Sequence, residues 1–139
     1  MPIRFFCALL LLALTGCLGH GAAVEDLSGK EDLSLFKLQF VRGIRDGDRL
    51  ATQALISDSS SNLTLDMRFA VGSPTKLDSG SWLWTRNNQN FSGNISARSV
   101  TFLGGQDGPP SIGGSFDLVN SDGLAVYRVN IPVTELKRQ

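Results

Sequence analysis

The chain has 139 residues, enough for one domain with an ordinary core and too few for two. Its 13 basic and 13 acidic residues cancel, and no Lys/Arg block is dense enough to follow a phosphate backbone, which speaks against nucleic acid as a partner. Gly, Ser, Asn and Asp are frequent while helix-favouring runs are scarce, so the composition points to short strands joined by turns.

The chain opens with Arg4 followed by the continuous apolar run FFCALLLLAL, Phe5 to Leu14. A positive start before an apolar core is the pattern of an export signal, and the run falls short of the roughly 20 apolar residues that span a bilayer. Residues 1–16 are therefore expected to be a signal peptide. Directly after that core, Leu14, Thr15, Gly16 and Cys17 resemble the lipobox of bacterial lipoproteins. The resemblance implies cleavage before Cys17, diacylglyceryl transfer to its sulfur and further acylation such as palmitate at the new N-terminus. Two or more acyl chains give stable anchoring where one is marginal. Leu18 stands where an aspartate would resemble an inner-membrane retention signal, so the resemblance implies the outer membrane, with the domain facing the periplasm or the cell exterior.

The cysteine count fits this reading. Of the two cysteines, Cys7 lies inside the apolar core and would leave with it, so Cys17 would have no partner for an intramolecular disulfide. Residues 17–32 then read as a lipidated N-terminus and a mobile tether, because LGHGAAVEDLSGKED carries no sustained apolar period. His20, the only histidine, falls in this tether, where nothing fixes its ring for catalysis or metal binding.

Residues 33–139 read as one all-β domain, an antiparallel β-sandwich or small barrel of about seven strands. LFKLQFV (Leu35 to Val41) sets Phe36, Leu38 and Phe40 on one face, ahead of a hairpin turn at Asp46 to Asp48. LATQALI (Leu50 to Ile56) and LTLDMRFAV (Leu63 to Val71) follow, the latter alternating apolar and mostly polar residues throughout. WLWT (Trp82 to Thr85) leads into the Asn-rich turn NNQN, and FSGNISARSVTFL (Phe91 to Leu103) returns from it. Its apolar parity switches between Ala97 and Val100, which predicts a bulge near Arg98 and Ser99. A Gly/Pro loop then precedes IGGSFDLV and LAVYRVNIPV, joined by the hairpin signal NSDG.

The domain contains no histidine or cysteine after residue 20, so nucleophilic catalysis of the Ser/His or Cys/His kind lacks its base. Asp66 and Asp117 both sit in strands, but nothing ties them into a paired-carboxylate site. No metal ligand set or cofactor motif is present, and the expectation is a non-enzymatic protein. One recognition feature stands out: Trp82 and Trp84 share a parity beside Asn87, Asn88 and Asn90, the pattern of an aromatic platform with amide donors for a glycan. The competing expectation places both indoles in the core.

The plan of leader, lipobox, short tether and compact β domain is similar to the all-β pilotins of type III secretion, which escort a secretin ring protein to the outer membrane. The similarity implies a lipid-anchored assembly or accessory factor whose partners are membrane lipid, through Cys17, and a secretin or other outer-membrane component. The alternative is a periplasmic inhibitor or glycan-binding lipoprotein that uses its loops or the Trp82/Trp84 pair.

Overall fold

The computed structural model describes residues 21–31, 33, 35–104 and 110–137. The expected signal peptide, Cys17 and His20 lie outside the described residues. Eight strands run β1 (Gly21–Asp26), β2 (Leu35–Asp46), β3 (Arg49–Ser57), β4 (Ser61–Ala70), β5 (Lys76–Arg86), β6 (Gln89–Leu103), β7 (Ser111–Val119) and β8 (Ala125–Glu135). Each pairs antiparallel with the next in sequence, and β1 pairs with β8, so the sheet closes into a barrel in the order β1 to β8. The all-β expectation holds as a small barrel of eight strands, and the additional strand is β1.

That strand lies inside the segment 17–32 read as a tether and corrects that reading over Gly21–Asp26. Short as it is, β1 places Ala22 and Val24 inside the barrel, at 0% and 3% exposure, with Glu25 pointing out. Two small apolar residues at alternate positions are too weak a signal to mark a strand when Gly and acidic residues flank them. They become strand because β2 and β8 both offer free ladder edges to them, and an open edge is unfavourable.

Alternation then fills the interior. Across the wall the register Leu38, Ile56, Leu63, Trp84 forms one buried row, and Val41, Ala54, Leu65, Trp82 forms the next. An eight-stranded barrel has an interior just wide enough to be packed by side chains, and large rings here do the filling. Phe36 and Trp84 meet edge to face at 5.7 Å, and Phe69 and Phe116 at 6.2 Å. The outer wall carries Gln53, Asp66, Arg68, Ser81 and Asn94, all at least partly exposed. This polarity is the reverse of a membrane-spanning barrel, whose outer band is apolar.

Bulges adjust the parity where the sequence pattern breaks. The predicted bulge is present: Ala97 pairs with Phe116 and Ser99 with Ser115, leaving Arg98 unmatched. A second, at Gln39, ends the expected single apolar face of the first strand segment, since Val41 rather than Phe40 pairs with the inward Ala54. Gly93 has a separate task. It pairs with Trp82, whose indole Nε1–H donates to the Val119 carbonyl at 3.0 Å, and a Cβ at Gly93 would overlap that same carbonyl. The large inward ring thus needs the missing side chain opposite it.

The turns follow their local chemistry. Gly47 adopts φ 63° in the predicted hairpin turn between β2 and β3. Asn87 and Asn88 both take positive φ, 49° and 60°, as a two-residue hairpin with right-handed strand twist demands. Between β3 and β4, the Asp58 carboxylate accepts from the Ser60 and Ser61 amides at 2.9 and 2.8 Å and from the Ser61 hydroxyl at 2.9 Å. Burial works against its charge, yet these donors hold Asp58 below the ordinary carboxylate range.

Two measurements check this architecture. Ala22→Asp places an unpaired carboxylate in the core and is expected to lower the unfolding free energy by about 3–5 kcal/mol in urea titration; an unchanged midpoint would mean that β1 is not part of the barrel. The depressed folded value of Asp58 makes its stabilisation present above about pH 4, the unfolded range, and lost as pH falls through the folded value. Wild type should therefore exceed Asp58→Asn in stability at neutral pH by less than ~1 kcal/mol, given solvent screening, and the two should converge in acid.

Candidate functional site

The Trp/Asn platform is not formed. Trp82 and Trp84 are 3% and 0% exposed, so neither ring offers a face to a ligand in solution. Their shared parity, which suggested a platform, is the inward parity of β5. Asn87 and Asn88 make the turn itself, and Asn90 Oδ1 accepts from the Thr85 hydroxyl at 2.9 Å outside the barrel. Indoles and amides are neighbours in sequence but lie on opposite sides of the wall.

Trp84 instead anchors the end of the barrel. Its ring lies edge to face with Tyr127 at 4.8 Å, and the Arg86 guanidinium sits over it at 4.6 Å. Arg86 in turn makes a two-pronged contact to Glu31, at 3.0 and 3.2 Å, which draws the β1–β2 loop across this end. The Glu31 hydrogen bond raises the guanidinium's proton affinity further, while burial pushes the Tyr127 hydroxyl above its usual range. Asp26 organises the same loop by accepting from the Ser28 amide and hydroxyl and from the Glu31 amide. The Trp84 indole N–H is buried without a hydrogen-bond acceptor. These contacts brace the end of the barrel.

Asp66 and Asp117 are likewise kept apart. They stand on β4 and β7, with two strands between them, and each has its own partner: Asp66 accepts from Gln53 at 3.3 Å, and Asp117 pairs with Arg128 at 2.8 Å and with Arg98 at 3.7 Å.

The feature that does offer a binding geometry lies between β5 and β6. Their ladder runs from the hairpin only as far as Ser81 and Asn94. Beyond it, Lys76–Gly80 pairs with β4 alone and Ile95–Leu103 with β7 alone, so two strand edges face one another across a seam. Bulges stand on both sides: Asp78 is unmatched against β4, and Arg98 against β7. A cavity of about 430 Å³ occupies the seam, lined among others by Lys76, Leu77, Asp78, Ile95, Arg98 and Val100. The β5 edge alone presents five residues, ~17 Å of backbone at strand rise. Unpaired edges of this kind take up an extended peptide by main-chain hydrogen bonding, with flanking side chains setting selectivity.

Sequence reasoning reached one half of this site, the bulge at Arg98, without its consequence. The β5 half carried no signal, because KLDSG lacks alternation and reads as loop. With both indoles inside the barrel, tryptophan emission should be blue-shifted and unmoved by oligosaccharides or peptidoglycan fragments; a ligand-dependent shift would return the rings to the surface. The chain matches no known protein family, no curated protein and no solved structure, so a functional reading rests on the geometry of its own residues.

Proposed function

We propose that this protein is a lipid-anchored, non-enzymatic factor of the bacterial envelope that binds an extended segment of a partner protein in the seam between β5 and β6. The carrying observation is the pair of strand edges, Lys76–Gly80 and Ile95–Leu103, left without a neighbour in an otherwise closed barrel. Natural sheets cover or blunt such edges, and a bulge on each lip keeps these two from joining. Leu77, Ile95 and Val100 offer apolar contacts, while Lys76, Asp78 and Arg98 offer charge of both signs at the rim.

Anchoring rests on the lipobox of Leu14 to Cys17 and on the apolar run before it. The polar outer wall supports a barrel attached to a membrane over one that spans it. Within this class the sharper reading is a pilotin, with an outer-membrane secretin as the partner that supplies the extended segment.

A photo-activated crosslinking residue at Leu77 or Ser96 should trap one outer-membrane partner in cells, whereas the same residue at Gln53, on β3, should not. Equal trapping at all three positions overturns the seam as the binding site. If the partner is a secretin, deletion of this protein leaves its multimers unassembled or misplaced, and normal multimers refute the pilotin reading. Cys17→Ser should abolish acyl labelling and release the folded domain from the membrane fraction.

A further inference from the structure

The seam between β5 and β6 has the shape of a fork. Its closed end is the rung of Ser81 and Asn94, and directly below that rung a Cβ on Gly80 would stand 3.0 Å from the Ile95 Cβ, which leaves no passage for a third strand. An occupant therefore lies below this contact, along Lys76–Ser79 on one lip and Ser96–Leu103 on the other. The cavity follows the same stretch and reaches Thr75 and Val100 at its open end.

The floor of the fork is apolar and incompletely covered. On β3 and β4 every inward residue is buried, from Leu50 to Ile56 and from Ser61 to Phe69. Leu77 and Ala97 also point inward, since they pair with the buried Phe69 and Phe116, and Val100 packs on the same core. All three nevertheless keep part of their surface exposed. Apolar side chains pointing the same way from a strand between the lips would cover that surface, and they must be small because the core beneath is already filled. Charge around the fork selects no sign: Arg68, Lys76, Arg98 and Arg128 stand against Asp66, Asp78 and Asp117, and Asp117 already pairs with Arg98 and Arg128.

Direction follows from the two lips. Because β5 and β6 run antiparallel, a strand between them is antiparallel to one and parallel to the other. Antiparallel pairing is slightly more stable per residue, so the longer lip decides. That lip is β6, which keeps an unbroken run after its bulge, Ser99–Leu103, whereas Lys76–Ser79 is short and interrupted at Asp78. We infer that the seam takes an extended partner segment running antiparallel to β6, and so in the direction of β5, with small apolar side chains at alternate positions over Leu77, Ala97 and Val100. This rests on the seam being the binding site, as proposed above. The more C-terminal residues of the segment then lie toward Ile95, where the fork closes.

The test uses the full chain in cells, with a short diazirine side chain in place of Ser96 or Thr101 on β6, and in place of Gln53 on β3 as the control. Crosslinked partner residues are mapped by mass spectrometry. Both seam positions are expected to trap one segment, and the residues reached from position 96 should lie about five places C-terminal to those reached from position 101, since an antiparallel ladder advances one residue on each strand. The reverse order overturns the direction while the seam stands. A mapped segment without apolar residues at alternate positions overturns the stated chemistry. A synthetic peptide of that segment should bind at least tenfold more weakly when its inward residues are replaced by aspartate, and equal binding overturns the apolar contact. Trapping at position 53 equal to that at the seam, or no trapping at either seam position, refutes the seam and this inference together.

Discussion

The structure depends on closure of the sheet by β1. Seven strands in sequence order, β2 to β8, would leave two long edges exposed, with a row of unsatisfied amide and carbonyl groups on each. Six residues, Gly21–Asp26, bridge them by pairing with β2 on one side and β8 on the other. The bridge is partial, since β1 covers only part of the two strands, and the segment after β8 continues it through backbone bonds of Lys137 to Val41 and Gly43. Two segments from opposite ends of the chain thus complete one wall, which ties the stability of the whole barrel to residues distant in sequence.

Closure also fixes what the interior has to hold. A ring of eight strands leaves space that side chains must fill to ordinary packing density. Trp82 and Trp84 are the largest available groups, and the barrel uses them as core. Gly93 makes room opposite Trp82, and the Arg86–Glu31 contact caps the end above Trp84. Demand for volume inside accounts for both indoles lying in the core.

Where closure is incomplete, two strand edges stay open. The bulges at Asp78 and Arg98 turn β5 and β6 apart beyond Ser81 and Asn94, so the barrel has a sealed half and an open half along the same pair of strands. An open edge carries a risk of non-specific pairing, and charged side chains at its rim, here Lys76, Asp78 and Arg98, limit that risk while leaving the backbone accessible.

Much of the fold was legible in the residues because alternation at period two survives in isolated segments. LTLDMRFAV announces β4 without ambiguity, NNQN and NSDG mark their hairpins, and the parity switch at Arg98 and Ser99 announces its bulge. Those signals are local, set by the pleat and by the backbone freedom of Gly and Asn. By itself, then, the sequence determined the all-β class and the turns, and it carries the apolar run and the Leu14–Cys17 motif on which the proposed anchor rests. Only the tertiary structure decided that Gly21–Asp26 is strand, that the sheet closes, and that Trp82 and Trp84 face inward. It also brought out the unpaired edge of KLDSG. Each of these turns on which strand edge meets which across the ring, a property of long-range pairing that no window of the chain contains.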